Sequence, residues 1–204
     1  MKKLFLSLTF AVTALVANAQ FTIIPKIGLS IASTTNKPKI DDARITNGIQ
    51  LGVACDMRIT DIFSVQPELL FIQKGQKFKK TLIGAETITL TINYLEIPLL
   101  AKVKFGNDNV KFYVNAGPSL GIAMSASLKQ TGESAEDIPI GSSDSDFYKR
   151  TDIGAQFGAG LMIGNFMIDL RYGLGLTNII NGGDDDFSQK NNVIGITVGY
   201  AIPL

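Results

Sequence analysis

Eight long runs of alternating side chains are the feature that most restricts what this chain can fold into. Within each run, every second residue is apolar, and most of the residues between are small or polar. The runs span residues 21–31, 45–59, 63–71, 88–105, 110–124, 153–163, 166–176 and 194–204. Successive side chains of a β-strand point to opposite faces of the sheet, so each run predicts a strand with one apolar face. Most runs are 11 or more residues long, whereas strands of soluble proteins average about 5 to 6.

The connections between these runs alternate between short and long. Tight turns are predicted at Thr60-Asp61, at residues 106–109 and at Gly164-Asn165, and longer polar loops at residues 33–44, 79–86, 128–150 and 178–191. Short turns at one rim and long loops at the other are typical of outer-membrane barrels, whose short turns face the periplasm. A strand that crosses a bilayer obliquely needs about 9 to 11 residues, which most of these runs provide.

The apolar face of the predicted sheet suits lipid. The opposite face is rich in Gly, Ala, Ser and Thr, and it would cover the exterior of a soluble barrel poorly. In lipid every backbone group must be paired within the protein, which requires a closed sheet. The sequence therefore predicts an all-β, eight-stranded antiparallel up-and-down transmembrane β-barrel, monomeric and surrounded by outer-membrane lipid. The apolar positions change from even to odd numbers after Ile92, which predicts a β-bulge near Asn93-Tyr94.

Residues 1–19 have the composition of a secretory signal peptide. Met1-Lys2-Lys3 is a positive start, residues 4–16 are apolar, and Ala17-Asn18-Ala19 forms an A-x-A cleavage site. A membrane anchor would need about 20 apolar residues and no cleavage site. We expect cleavage after Ala19, a barrel domain over residues 20–204 and, because the strand number is even, both termini in the periplasm.

Composition excludes several classes of function. The chain has 19 Lys+Arg, 18 Asp+Glu, one Cys and no His. A net charge near zero gives no basic surface for nucleic acid. Because His is the commonest general base and metal ligand, its absence predicts no catalytic residue, no metal and no cofactor. A single Cys cannot form an internal disulfide, and Cys55 falls on the apolar face as a small residue.

Three local features suggest chemistry and have simpler interpretations. Residues 117–121 match the G-x-S-x-G motif of hydrolases, but Ser119 lies in the middle of a predicted strand and that motif needs a His partner. The three Asp residues 184–186 lack the spacing of a calcium loop, so we interpret them as part of a solvated loop. The acidic loop 128–150 is either a partner-binding segment or a mobile loop, and the sequence leaves both open.

Charged residues on the small-residue face predict a network inside the barrel. Basic residues facing lipid would cost about 2 to 4 kcal/mol each near the midplane, so we expect these side chains to point inward and plug the lumen. Lys26, Glu68, Glu96 and Arg171 are predicted to lie at comparable heights. The six residues of the network are Lys26, Glu68, Glu96, Lys102, Asp169 and Arg171.

Aromatic residues close to the short turns predict a periplasmic girdle on the apolar face. An aromatic ring suits the headgroup level of a membrane. The residues are Phe63, Phe105, Phe112, Phe166 and Tyr200.

Five short motifs, taken in order, resemble the PorT-like family, a Bacteroidetes-type family of outer-membrane β-barrels. The resemblance implies an eight-stranded barrel in the outer membrane of a Gram-negative bacterium, and some members of that family are tied to protein secretion. The motifs are residues 65–71 with Lys74-Gly75, residues 93–102, Ala116-Gly117-Pro118, Gly154 with residues 158–160, and residues 170–174 with residues 177–179.

These observations predict a non-enzymatic outer-membrane protein. We expect a structural or accessory role in protein secretion or outer-membrane assembly, exerted through the loops and the periplasmic rim, with envelope or secretion proteins as candidate partners. The alternative is a small porin-like passive channel or a surface adhesin. A lipid-modifying barrel enzyme is disfavoured because the chain has no His.

Overall fold

The structure is a computed structural model that describes residues 20–39, 43–80, 86–107, 109–141, 143, 146–182 and 186–204. Eight long strands form one antiparallel ring, in which the last strand pairs with the first. This ring confirms the predicted all-β, eight-stranded antiparallel barrel. The strands are β1 (Gln20–Lys37), β2 (Thr46–Arg58), β3 (Phe63–Lys80), β4 (Glu86–Gly106), β5 (Val110–Gln130), β6 (Thr151–Ile163), β7 (Phe166–Gly175) and β8 (Ser188–Tyr200).

Three shorter segments extend the ring at its ends, and two more pair with each other. Ala43–Arg44 pairs with β3, Glu136–Ile138 pairs with β5, and Ile202–Pro203 pairs with β1. Ile140–Gly141 and Tyr148–Lys149 pair with each other in parallel at the end of the barrel that carries the long loops. The described part of the chain contains no helix long and apolar enough to cross a membrane.

Pairing around the ring is staggered. A path that starts at Phe21 and passes through directly paired residues of each strand returns to β1 at Ile31, ten residues further along. A closed, staggered ring of eight strands has an interior just wide enough for side chains to fill. The residues on the path are Met57, Val65, Ala101, Ala116, Phe157, Tyr172 and Ile194.

The outer face of the barrel is apolar and the inner face is polar. On β7 the outward residues Phe166, Ile168 and Leu170 are about half exposed or more, whereas Asp169 and Arg171 point inward and are buried. Counted from the short turns, the outward side chains stay apolar for about 11 residues of strand, a height of about 25 Å at a tilt of 45°. The first polar outward residues are Ser33, Asn47, Gln73, Asn93, Ser125 and Asn192.

Four of the predicted loops are shorter in the structure because the strands continue past the apolar band. β1 extends to Lys37, β5 extends to Gln130, and β8 already begins at Ser188. A strand that projects beyond lipid needs no apolar outer face, so hydropathy does not mark its end. The last predicted strand is interrupted at Ala201, whose N–H donates to the carbonyl of Asn165 at 2.7 Å.

The register of β4 and β5 shifts at Asn93 and Tyr94, which confirms the predicted bulge. The inserted residue belongs to β5, because Asn93 pairs with Ser125 while Tyr94 pairs with Ala123, and Met124 is left over. The sequence placed the bulge within β4, and that placement is wrong, because β4 alternates without an inserted residue and its apolar residues change faces. Leu90 and Ile92 are buried inside the barrel, so the even residues face inward throughout the strand.

Candidate functional site

Four charged residues meet at the centre of the barrel, and we call them the central cluster: Lys26, Glu68, Asp169 and Arg171. Arg171 binds Glu68 through two contacts of 2.8 and 3.1 Å, and it lies 3.0 Å from Asp169. The Lys26 ammonium donates at 2.6 Å to Glu68 Oε2, the oxygen that also accepts from Arg171. All four residues are at most 7% exposed. A buried charge is tolerated when it is paired in this way.

A second group lies nearer the short turns, and we call it the turn-side cluster: Asp56, Lys102 and Lys104. Lys102 and Lys104 donate to the two oxygens of Asp56 at 3.0 and 2.8 Å. The Lys102 ammonium also lies 4.0 Å from the centre of the Tyr113 ring, a cation–π contact. Strands β2 and β4 supply the three charged residues and β5 supplies Tyr113, so these contacts connect three strands.

A third group lies nearer the long loops, and we call it the loop-side cluster: Lys74, Glu96 and Asp152. The Lys74 ammonium donates to Glu96 at 2.7 Å and to Asp152 at 3.1 Å. Asn191 donates to the same oxygen of Asp152 at 2.9 Å. The cluster therefore connects β3, β4, β6 and β8 across the lumen.

Hydrogen bonds link the turn-side cluster to the central cluster. Gln66 accepts from Lys102 at 2.8 Å and donates to Glu68. The Tyr113 hydroxyl, beside Lys102, donates to Asp169 at 2.8 Å. The three clusters together contain five basic and five acidic residues, so their charges balance in sum.

The structure places all six predicted lumen residues inside the barrel, but it divides them among the three clusters. Lys26, Glu68 and Arg171 meet, as their heights predicted, and Asp169 joins them, whereas Glu96 does not. Lys102 and Glu96 instead pair with residues that the prediction did not include. The reason is the stagger of the ring, which shifts the height of each strand relative to its neighbours. Whether the clusters act as a plug stays a prediction.

The residues that the prediction missed were present on the correct face. Asp56 and Asp152 alternate with the outward apolar residues of their strands. Lys74 continues the inward alternation of Glu68 beyond Phe71, where the outward residues become polar and the predicted strand ended. Extending each strand by its inward residues would have found Lys74, but its partners depend on register, which the sequence does not show.

A small polar cavity separates the central and loop-side clusters. It has a volume of about 30 Å³, which suits about two water molecules. Several atoms on residues that line it have no hydrogen-bond partner among the described residues, including Asp152 Oδ1, Asn191 Oδ1 and Arg171 Nε. Buried side chains of the central and loop-side clusters therefore meet across the lumen on the two sides of this cavity.

An apolar layer covers the clusters on the loop side. Tyr148 and Ile180, from two different loops, are buried there against Leu90 and Ile92. Backbone bonds hold the two loops together, because the Lys149 N–H donates to Ile179 at 2.7 Å. Burial raises the pKa of the Tyr148 hydroxyl to about 12, so this group stays neutral at physiological pH. Part of the loop predicted at residues 128–150 is thus packed into the mouth of the barrel.

All five predicted girdle residues lie on the outer face near the short turns. Phe105 pairs with Phe112, and the rings of Phe166 and Tyr200 make an edge-to-face contact with centres 5.2 Å apart. Phe63 is half-buried and the other four are exposed. Their contact with periplasmic headgroups stays a prediction.

The structure places two of the remaining candidate residues on strands of the barrel. Ser119 is a buried residue inside β5 and lies on an unbroken strand. Cys55 is a free thiol on the outward side of β2. Within the described ranges, no cluster of Asp, Glu or Cys is arranged to hold a metal ion. The predicted signal peptide and Asp184-Asp185 lie outside the described residues.

A closed ring with an apolar exterior and a charged, filled interior defines a transmembrane β-barrel. Residues 17–181 match the family described as "Outer membrane protein beta-barrel domain". The chain belongs to this family, and membership places it in the outer membrane. The narrower PorT-like assignment is not established by this match.

Solved structures of small outer-membrane proteins are similar to this chain at low sequence identity. Ail, the attachment invasion locus protein of Yersinia pestis, is 18% identical, with a TM-score of 0.47 over 90% of this chain and 99% of Ail. Neisserial surface protein A is 16% identical, with a TM-score of 0.46 over 88% and 96% of the two chains. OprG of Pseudomonas aeruginosa is 15% identical, with a TM-score of 0.47 over 90% and 96%. No curated protein matches the chain.

Proposed function

We propose that this protein is a closed, non-conducting barrel that acts through its loops and its periplasmic rim. Its role is structural or accessory to protein secretion or outer-membrane assembly, as the resemblance to PorT-like proteins implies. The observation that carries the proposal is the filled interior. Three ion clusters, whose charges balance in sum, and an apolar layer occupy the lumen, so the surfaces available to other molecules are the outer wall, the loops and the rims.

The proposal includes an orientation and excludes catalysis. Both termini face the periplasm after signal-peptide removal, and the long loops face the outside, as in other barrels with short periplasmic turns. The protein is monomeric and non-enzymatic, since the chain has no His and Ser119 has no partner suited to activate it. A small passive channel is the weaker alternative because the lumen is occupied.

Conductance in a planar bilayer tests the closed lumen. The purified, folded protein should give no discrete channel openings, because the ion clusters and the apolar layer occupy the lumen. A porin of known conductance, reconstituted in the same bilayer, serves as the positive control and should give discrete openings. Discrete openings in the wild-type protein would contradict the proposal.

A clean deletion tests the accessory role. The deletion strain should show a changed profile of secreted or surface proteins, and the complete chain should restore it. A chain in which residues 131–137 are replaced by a Gly-Ser linker should fail to restore the profile if the loops carry the role. An unchanged profile in the deletion strain would contradict the accessory role.

Surface adhesion is a second candidate, and exposed aromatic residues on the loop side favour it. Phe147 and Phe187 are about half exposed, although they lie beyond the apolar band. Exposed aromatic side chains are common anchors in protein interfaces. Loss of cell binding in the Phe147→Ser, Phe187→Ser variant, with a normal secretion profile, would favour adhesion over the accessory role.

A further inference from the structure

The outer wall of β3, β4 and β5 carries a row of hydrogen-bonding side chains at the loop-side border of the apolar band. Gln73 donates to Asn93 at 3.1 Å, and Asn93 donates to Ser125 at 2.8 Å. The three residues are direct cross-strand neighbours, and we call them the amide belt. The next outward residues toward the short turns are apolar, so the belt marks the edge of the lipid-facing surface.

Two lysines form a second row farther from the band. Lys77 and Lys129 pair with Thr89 from opposite sides, so all three lie on one face of the sheet. That face is the outer one, because the adjacent Gln76 and Leu90 point inward and are each 1% exposed. Two strand spacings separate the lysines, which is about 10 Å. Neither ammonium group has an ion-pair partner among the described residues.

The distance of this row from the band indicates which headgroup can reach it. Lys77 follows Phe71 by six residues, about 20 Å of strand and about 14 Å of height at a tilt of 45°. The headgroup layer of a phospholipid bilayer is only about 5 to 7 Å thick on each side. A glycerophosphate group therefore ends short of the lysine row, whereas a saccharide headgroup rises past the amide belt to reach it.

The chemistry of the wall between the two rows fits a phosphorylated saccharide. Thr91 and Ser127 add hydroxyl groups between the amide belt and the lysines. The described outward side chains of β3, β4 and β5 beyond the band include no carboxylate. The adjoining segment places one acidic residue beside this wall, because Asp137 pairs with Ser127. The lysines are thus free to attract phosphate, and Asp137 opposes them.

We propose that the amide belt, Lys77 and Lys129 bind a membrane lipid whose saccharide headgroup carries at least two phosphate groups. The amide and hydroxyl groups contact the sugar, and each lysine contacts one phosphate. The site lies in the leaflet on the loop side, an assignment that rests on the orientation proposed above. A headgroup with a single phosphate reaches only one of the two lysines and binds more weakly.

Lipid binding to the folded protein in detergent micelles tests this site by native mass spectrometry. The probes are a short-chain lipopolysaccharide, the same lipid after hydrofluoric acid has removed its phosphate esters, phosphatidylglycerol, and sodium phosphate as competitor. We expect the intact lipopolysaccharide to bind at least tenfold more tightly than the dephosphorylated form or phosphatidylglycerol. Sodium phosphate at the same phosphate concentration should not displace it.

Substitutions in the proposed site test the lysines more directly than the comparison of lipids does. Lys77→Gln with Lys129→Gln should weaken binding about 25-fold, at about fivefold for each lysine near a charged lipid surface. Asp137→Asn should strengthen binding, since it removes the opposing charge. Lys149→Gln is the matched control, because it removes the same charge on the loop side from a residue outside this wall, and it should leave binding unchanged.

Three outcomes would overturn the proposal: equal binding by the double variant, equal binding of the dephosphorylated lipid, or equal binding of phosphatidylglycerol. Displacement by sodium phosphate would instead assign the site to free phosphate and contradict a lipid site. Mobility on a gel before and after heating verifies folding, and the single Lys77→Gln variant replaces the double variant if that fails to fold. Binding in micelles depends neither on orientation in the cell nor on a closed lumen, so the proposed function can fail independently.

Discussion

Removing Arg171 should expose how strongly the barrel depends on charge balance in the central cluster. Arg171 is 7% exposed and supplies positive charge to both Glu68 and Asp169. In Arg171→Met, Lys26 still pairs with Glu68, but one negative charge is left without compensation. Breaking a buried pair in this way costs about 3 to 5 kcal/mol. Glu68→Gln should cost a similar amount, because it leaves one positive charge in excess.

The double variant decides between charge balance and simple loss of packing. Arg171→Met with Glu68→Gln leaves Lys26 and Asp169, which restores balance. We expect its free energy of unfolding to exceed the value for additive effects by about 2 to 3 kcal/mol. Arg58→Met is the control, since Arg58 forms an exposed pair with Asp61 at 2.6 Å, and loss of a surface pair costs at most about 1 kcal/mol.

The assay is urea unfolding in detergent micelles and in lipid vesicles. The chain has no Trp, so far-ultraviolet circular dichroism and gel mobility without heating follow the folded fraction. Unfolding and refolding curves must coincide before free energies are compared. Additive effects in the double variant, or single effects below about 1 kcal/mol, would refute the claim that Arg171 and Glu68 are coupled as a buried ion pair.

Three further substitutions test the packing of the lumen, the aromatic girdle and the apolar layer. A Cβ at Gly160 would overlap the Tyr113 hydroxyl, whereas a Cβ at Gly173 has no neighbour closer than 3.8 Å; Gly160→Ala should therefore lower the free energy of unfolding by about 1 to 3 kcal/mol, and a Gly173→Ala variant that is equally destabilised would contradict this. Phe166→Ala should cost about 1 kcal/mol in vesicles and less in micelles, and equal losses in both media would argue against a headgroup contact. Tyr148→Ser should accelerate amide hydrogen exchange in β4 near Leu90, and unchanged exchange would mean that the layer does not depend on this ring.

The alternation of side chains was sufficient to predict the ring, because lipid and a filled lumen impose opposite polarity on the two faces. It also placed Asp56, Glu68 and Arg171 on one face before any partner was known. The alternation failed to predict the strands beyond the apolar band, where the outer face is no longer apolar. Beyond the apolar band the outward residues are Ser, Thr, Asn and Lys, so the continuation of β1 to Lys37 looked like a loop.

The partners inside the lumen could not be predicted for a different reason. Lys102 and Asp56 are 46 residues apart in sequence, and they meet only at one register of β2, β3 and β4. Apolar residues that point inward also did not fit the prediction, which placed apolar side chains on the outer face. Leu90 and Ile92 pack under Tyr148, a contact made by a loop whose path no periodic pattern describes.

The division of the lumen into separate clusters leads to a last prediction, about Glu96. The sequence placed Glu96 at the height of Glu68, and a single network would couple the two residues. In the structure Glu96 pairs with Lys74, and the described residues include no partner common to Glu96 and Arg171. Glu96→Gln alone should lower the free energy of unfolding, but by less than Arg171→Met, because Asp152 still compensates Lys74.

Combining the two substitutions tests whether the clusters are independent. Effects of residues that share no partner add within about 0.5 kcal/mol, so the Glu96→Gln, Arg171→Met variant should lose the sum of the two single effects. The matched positive control is Glu96→Gln with Lys74→Met, which removes both members of one pair and should be less destabilised than the sum. A coupling free energy above about 1 kcal/mol between Glu96 and Arg171 would contradict this prediction. It would mean that the two clusters interact electrostatically across the polar cavity and form one network.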